Sequence, residues 1–365
     1  MEIITNKDLT ALVKDELQLK MPSSGEPDCF CPNGRKNYIY YNVCRKGAGI
    51  RDREYIIRNL IWFADELCAE VALKCRPHRW LNLRKHGCYA PETAEWSSYF
   101  TTVRKSSNGT TLSKVNILYS NVNETNEKEV FHGLRYIEGP PTIGKYNLGI
   151  RLNAQDVPFV WEFSKNFWKT EFFKDDYLGP WPHINLTHRE YNDTCGVIDL
   201  DPSEELQGIA RLAITELGLT AQDYVTLHLR RGDAKDSCET DAETVMKYLN
   251  CSIATDTVKH VVVLTNEKEE EYLNELNQNF THWFPEKELI YLDQFMTSTS
   301  FVDTMLQKNV TKRSGAEYLN DNCYFFSAEK AIISMAGYHL ERGRAHCAPC
   351  DPGGSRKDPF EVLIR

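Results

Sequence analysis

Short apolar runs alternate with amphipathic stretches through the second half of the chain. Apolar runs that predict strands lie at 196–200, 224–230, 258–264 and 289–292. Apolar residues at helical spacing predict helices at 202–217, 241–249, 269–278 and 331–340. This alternation of strands and helices predicts a parallel, doubly wound α/β sheet.

The first half begins with the same unit. Residues 38–43 predict a strand, and residues 54–74 predict one long amphipathic helix. The loop between them contains two glycines and a charged end: Gly47, Gly49, Asp52 and Arg53. A strand, a glycine-rich loop and a helix place backbone N–H groups and a helix N-terminus near an anion.

The remaining stretches divide the chain. Residues 115–119 predict a further strand, while aromatic residues at helical spacing over 159–173 favour core positions. A Gly-Pro-Trp-Pro break follows at 179–182. We predict an N-terminal appendage or linker, two domains and a tail, at 1–37, 38–185, 195–345 and 346–365.

Chemistry is concentrated in the stretch from Tyr224 to Asp233. Its apolar beginning predicts a buried strand, and its polar end presents His228, Arg230 and Arg231. Ligands of open α/β sheets bind at the carboxyl ends of such strands. Because the guanidinium fork matches phosphate oxygens, we predict a pyrophosphate site there.

The six residues from His228 to Asp233 resemble the H-x-R-R-x-D signature of GDP-fucose-dependent fucosyltransferases, which include α1,2-, α1,6- and protein O-fucosyltransferases. The resemblance implies a GT-B-like fold, in which two Rossmann-like domains face each other across a cleft. It implies inverting transfer of fucose from GDP-fucose to a hydroxyl of a glycan or protein. The resemblance also implies that Arg230 binds the β-phosphate of GDP, with His228 and Arg231 beside it.

Two other segments resemble the same family in part. The loop from Gly47 to Arg53 is similar to its G-x-G-x-x-[DN]-[RQ] loop, and Thr265-Asn266 resembles its T-[DN]-E turn near GDP. The family's C-terminal F-x-G-x-x-x-S-x-F-S-like segment is not matched. Asp321 and Ser327 are the residues expected to take its place in the donor site.

Sugar transfer needs a stabilised leaving diphosphate and a base for the acceptor hydroxyl. The arginines and His228 can supply the first without a metal ion. The candidate bases are Asp52 and Asp233, although Asp233 has the alternative role of bracing Arg230 or Arg231. We therefore expect no cofactor beyond the donor substrate.

Two motifs raise the question of metal. Cys347 and Cys350 follow His346, but no second pair of ligands at zinc spacing is evident, so a disulfide is favoured. Asp199 and Asp201 form a D-x-D, but acids are expected before a helix N-terminus. We predict no metal site.

Composition limits the class of protein and its cellular compartment. A net charge of −9 argues against a general nucleic-acid binder. The chain has 12 cysteines, which together with its N-glycosylation sequons favours the secretory pathway, in the Golgi or ER lumen. The sequons lie at Asn108, Asn123, Asn185, Asn192, Asn250, Asn279 and Asn309.

The sequence of the N-terminus argues against the secretory pathway. The first 20 residues contain no apolar segment of signal-peptide length, and no run in the chain is long enough to span a membrane. Either the sequence lacks an anchor, or the protein is cytoplasmic with free thiols. Two other functions also stay open: a transferase that uses another nucleotide sugar, and a non-catalytic GT-B-like secreted binding protein.

Overall fold

The computed structural model of the chain describes residues 34–41, most of 54–74, most of 90–119, 127–138, 158–163, 196–229, 240–253, 257–265 and 267–342, together with Cys31, Pro77 and Arg231. Its strands are β1 (Asn37–Tyr41), β2 (Ala69–Leu73), β3 (Phe100–Lys105), β4 (Thr111–Lys114), β5 (Leu118–Tyr119), β6 (Arg135–Glu138), β7 (Phe159–Phe163), β8 (Val197–Pro202), β9 (Tyr224–Leu229), β10 (His260–Thr265), β11 (Glu288–Tyr291) and β12 (Tyr338–Arg342). Its helices are α1 (Glu127–Val130), α2 (Glu204–Glu216), α3 (Ala242–Ser252), α4 (Glu270–Trp283), α5 (Leu292–Met296), α6 (Thr299–Gln307), α7 (Gly315–Asn320) and α8 (Asn322–Met335). The described residues between 54 and 65 are also helical.

The second half contains the predicted parallel sheet. Its strand order is β11-β10-β9-β12, and all three pairings are parallel. Residues of α3 and α4 pack on one face of this sheet, and residues of α2 and α8 pack on the other. Burial on both faces explains why its strands are near-continuous apolar runs.

The first half contains a second parallel sheet, with the order β5-β2-β1-β7-β6. The protein is therefore a mixed α/β protein with parallel sheets. The core is continuous between the halves, because residues of β1, β2 and 54–64 belong to the same apolar cluster as residues of α2 and α8.

A third sheet is antiparallel, with the order β4-β3-β8. The strand predicted at 196–200 is present as β8, but it pairs with β3 and not with the parallel sheet. This sheet therefore joins strands from either side of the boundary predicted at 185–195. At Gly196, where φ is +62°, a Cβ atom would lie 2.4 Å from the carbonyl oxygen of Lys105.

The helix predicted over 54–74 is wrong for its last seven residues, from Cys68 onward. Cys68 has a φ of 46°, and Ala69 to Leu73 form β2. The carboxylate of Asp65 accepts hydrogen bonds from Arg35 (2.6 Å) and Arg104 (2.8 Å) where the chain leaves the helix. A buried strand has no polar alternation. The apolar spacing of the helical segment therefore continues into β2, and the sequence pattern shows no boundary between them.

Two other predicted elements also differ. The helix predicted at 331–340 ends at Met335, and β12 begins at Tyr338. Gly337 lies between them, where a Cβ atom would be 2.4 Å from the carbonyl oxygen of Ala221. Within the aromatic stretch at 159–173, residues 159–163 form β7, and the core positions favoured for its aromatic side chains lie outside the described residues. Of the strand predicted at 115–119, Leu118–Tyr119 form β5 and Val115 is outside a strand, while 116–117 are not among the described residues.

Disulfides are present in the described part of the chain. Cys31 and Cys68 are bonded to each other, with Cα atoms 5.5 Å apart. Cys251 and Cys323 each take part in a disulfide bond as well. Cys29 and Cys31 are separated by one residue, which is too close for an easy mutual disulfide, so the sequence predicts a distant partner for Cys31, and Cys68 confirms this. Among the described residues, no helix is both long and apolar enough to cross a bilayer.

Candidate functional site

The polar end of the segment that begins at Tyr224 follows β9, at the point where the strand order of the sheet β11-β10-β9-β12 reverses. The chain proceeds from β9 to β10 and β11 on one side, while β12 lies on the other side of β9. The register aligns Leu229 with Thr265 on β10 and with Arg342 on β12. Such a switch point is where open α/β sheets form a ligand crevice at the carboxyl ends of their strands.

His228 is half-buried near this end of β9. Alternation along the strand places it on the same face as Tyr224 and Thr226. The hydroxyl of Tyr224 donates to the carbonyl of Ile332 (3.2 Å), so this face of the strand is turned toward α8.

Arg231 lies on the other side, against α4. Its Nε is 3.2 Å from Oε2 of Glu267, and its guanidinium carbon lies 3.6 Å from the centre of the Tyr272 ring. Tyr272 belongs to the apolar cluster on the α3 and α4 face. The structure therefore places Arg231 in a charged and aromatic contact on the α3 and α4 face of the sheet.

Glu267 belongs to the turn after β10. Its Oε1 accepts from the backbone N–H groups of Lys268 (2.8 Å) and Glu269 (3.1 Å), and its own N–H donates to Oγ1 of Thr265 (3.1 Å). Its side chain is 5% exposed. The turn predicted at Thr265 and the strand end at Arg231 are thus in direct contact.

Sequence reasoning missed Glu267 and Tyr272 as site residues. Glu267 is the third residue of the T-N-E turn, so the motif contained its signal. Tyr272 is one of several apolar positions of α4, and nothing in its spacing distinguishes it. Burial raises the pKa of Tyr272 to about 12, although the guanidinium of Arg231 acts to lower it.

Two carboxyl groups near the same edge were also missed. Asp293 is the second residue after β11, and burial raises its pKa while Lys268 acts to lower it. Glu329, on α8, is buried, and burial together with the negative charge of Asp293 raises its pKa to about 8. A protonated carboxyl group is therefore expected at Glu329 at neutral pH.

Asp321 and Ser327 have internal contacts. Asp321 is fully buried, and its Oδ2 accepts from the Tyr99 hydroxyl (2.6 Å) and from Nη1 of Arg313 (2.5 Å). Its Oδ1 caps α8 by accepting from the N–H of Tyr324 (2.9 Å). The Ser327 hydroxyl donates to the carbonyl of Cys323 (2.9 Å). Their contact with a donor stays a prediction.

The other predicted site residues lie outside the described part of the chain: Gly47, Gly49, Asp52, Arg53, Arg230, Asp233 and Asn266. The residue after the glycine-containing loop is described. Glu54 is buried and forms an ion pair with Lys330 of α8. The helical segment that follows the loop therefore contacts the helix that precedes β12.

The D-x-D pair lies on β8 and faces cations. Nη1 of Arg58 is 2.8 Å from Asp199, and Nζ of Lys105 is 3.4 Å from Asp199 and 2.5 Å from Asp201. These ion pairs occupy the carboxylates. Within the described residues, no group of three or more His, Cys, Asp or Glu side chains is arranged to hold a metal. His346, Cys347 and Cys350 lie outside them.

Comparisons with known proteins give little further guidance. No protein-family model and no curated protein matches this sequence. Among solved structures, a mutant of Arabidopsis thaliana FUT1 in complex with GDP is similar with a TM-score of 0.38 and 10% identity. The match covers 99% of this chain and 72% of that chain. A likeness of this size decides neither fold nor activity, so function is argued from the residues.

Proposed function

We propose that this protein is an inverting, metal-independent glycosyltransferase that moves fucose from GDP-fucose to a hydroxyl of a glycan or protein acceptor. One observation carries the proposal. The strand that leads into the His228-to-Asp233 motif lies at the switch point of a parallel sheet, and Arg231 of the motif contacts the turn that follows Thr265. Two segments that resemble the same donor site therefore meet in space.

The proposed roles follow from the direction of the side chains. Alternation predicts that Arg230 extends to the same side as His228, away from the Arg231 contact. Arg230 would bind the β-phosphate and stabilise the charge that develops on the departing GDP. Asp52 or Asp233 would accept the proton of the acceptor hydroxyl.

We also propose that two Rossmann-like domains face each other across a cleft. In the parallel sheet of the first half, β1 lies between β2 and β7. The loop that contains Gly47, Gly49 and Arg53 therefore also follows a strand at a switch point. The ion pair between Glu54 and Lys330 links the segment after this loop to α8. Both features support an arrangement in which the carboxyl ends of the strands of one parallel sheet face those of the other.

The first test is the thermal stability of the purified chain with GDP, UDP, ADP and GDP-fucose, with and without EDTA. A ligand that binds only the folded state raises the midpoint. We expect stabilisation by GDP and GDP-fucose alone, unchanged by EDTA. The Arg230→Ala variant should keep the midpoint of the unliganded protein but lose the response to GDP and the transfer of fucose. Transfer by this variant at the wild-type rate would disprove the mechanism.

Two other functions give different results in the same assay. A non-catalytic binding protein of this fold would show no response to guanine nucleotides, and the internal contacts of Asp321 favour this alternative. A transferase that uses another nucleotide sugar would respond to UDP or ADP instead.

We propose the lumen of the secretory pathway as the compartment. The disulfide between Cys31 and Cys68 supports an oxidising environment. The sequon residue Asn309 supports it further, since it is exposed in the turn after α6, with a φ of 50°. Peptide mapping of the native protein without reduction should recover Cys31 linked to Cys68. Recovery of both as free thiols would argue for the cytoplasm.

A further inference from the structure

We infer that Glu267 and Tyr272 are positioning residues, which hold Arg231 so that the carboxyl end of β9 is fixed for GDP. This inference rests on the proposed function. It assigns Arg231 to the support of the site and leaves phosphate binding to Arg230.

The first step is the use of both carboxylate oxygens of Glu267. Oε1 accepts from two backbone N–H groups, at 2.8 and 3.1 Å, and Oε2 lies 3.2 Å from Nε of Arg231. One carboxylate therefore joins the turn after β10 to the residue that follows the end of β9 by two positions. A glutamine could not replace it, because a neutral amide keeps one oxygen for the backbone N–H groups but has no negative charge for the ion pair with Arg231.

The second step is the position of Tyr272. Its ring lies 3.6 Å from the guanidinium carbon of Arg231, and its hydroxyl donates to the carbonyl of Thr240 (2.6 Å). Arg231 and Thr240 are the described residues on either side of 232–239. Tyr272 thus contacts the chain just before and just after the part of the motif that contains Gly232 and Asp233. Because Tyr272 is 4% exposed and packed in the core, it is a rigid support.

The third step is charge. A carboxylate beside a diphosphate site repels the ligand, so loss of the charge of Glu267 would by itself tighten GDP binding. Loss of its contact with Arg231 would release the strand end and weaken GDP binding. The two effects of the same substitution therefore have opposite signs, and the sign of the measured change shows which one is larger.

The experiment measures the dissociation constant of GDP and the thermal midpoint for Glu267→Gln. We expect GDP to bind about tenfold more weakly, which is about 1.4 kcal/mol. Tighter or unchanged binding would overturn the inference. The matched control is Glu288→Gln, because Glu288 pairs with His260 (3.2 Å) at the opposite end of the same two strands, β10 and β11. Its GDP affinity should equal that of the wild type.

A double-mutant cycle separates positioning from a purely structural role. In an Arg231→Met background, the ion pair between positions 267 and 231 is already absent. We therefore expect Glu267→Gln to have no further effect on GDP affinity in that background. An effect of the same size in both backgrounds would mean that Glu267 acts without Arg231.

Tyrosine variants keep the inference testable if Glu267→Gln fails to fold. Tyr272→Phe keeps the ring under Arg231 and loses only the bond to Thr240, whereas Tyr272→Leu loses both. We expect GDP affinity to fall in the order wild type, Tyr272→Phe, Tyr272→Leu, and equal affinities would contradict the inference. If the wild-type protein itself binds no GDP, the proposed function fails first, and this outcome is distinguishable from all of these.

Discussion

Glu329 is a buried carboxyl group that the fold holds in its protonated form. It is 8% exposed, on the inner side of α8, and burial with the nearby charge of Asp293 raises its pKa from 4.5 to about 8. A carboxyl group whose pKa is raised by folding destabilises the native state at every pH at which the same group is ionised in the unfolded chain.

The pH dependence of stability should therefore contain a contribution from this residue. Between pH 4.5 and about 8, the unfolded chain loses the Glu329 proton while the folded protein keeps it. The free energy of unfolding then falls as pH rises, by roughly 2 kcal/mol between pH 5 and pH 7. Glu329→Gln should remove this part of the slope in urea titrations at several pH values.

The control for this prediction is Glu275→Gln, since Glu275 is exposed on α4. Its variant should keep the wild-type slope. A slope that is equally steep in Glu329→Gln would show that the carboxyl group ionises freely in the folded protein.

At the scale of elements, the connection around β1 and β2 is closed by a disulfide. Cys31 precedes β1, and Cys68 immediately precedes β2, with 37 residues of sequence separation. The adjacent Asp65 is buried between two arginines, Arg35 and Arg104. These contacts fix the point at which the helical segment ends and the second strand begins.

Replacing both cysteines by serine should lower the free energy of unfolding by about 3 kcal/mol, because the open chain gains conformational freedom in the unfolded state. Guanidinium denaturation of the Cys31→Ser/Cys68→Ser variant measures this. The double variant is preferable to a reducing agent, which would also act on Cys251 and Cys323. An unchanged midpoint would mean that the bond does not contribute to stability.

At the scale of the whole molecule, the two parallel sheets share one core and a buried ionic contact. Lys330 of α8 and Glu54 of the first half are each 6% exposed in their side chains, and Arg58 lies 3.8 Å from the same glutamate. Breaking a buried pair from one side leaves an uncompensated charge, whereas removing both partners costs much less.

Lys330→Met should therefore destabilise the protein by about 3 kcal/mol, and the Lys330→Met/Glu54→Met variant should regain most of the loss. Thermal or urea unfolding of both variants provides the measurement. Lys308→Met is the control, because Lys308 forms an exposed ion pair with Glu216 (2.8 Å) and should cost about 1 kcal/mol or less. A double variant no more stable than Lys330→Met would show that the pair itself is not the source of the effect.

Much of the second half was predictable from its sequence. Strands β9, β10 and β11 and helices α2, α3 and α4 lie close to their predicted positions, because their apolar patterns match the periods of strand and helix. Prediction failed at β2 and β12, where a buried strand continues the apolar spacing of a preceding helix. Local pattern alone cannot place the break, since contacts of Asp65 and the close approach at Gly337 determine it.

The site divides in the same way. The sequence by itself determined which residue types follow β9 and β10, and therefore that cations and a polar turn meet at one edge of a parallel sheet. Only the tertiary structure decided that Arg231 packs on Tyr272 and pairs with Glu267, and that Glu329 is buried near Asp293. The physical reason is that periodicity fixes the face and the end of an element on which a residue lies, whereas its partners come from other elements whose packing the local sequence does not encode.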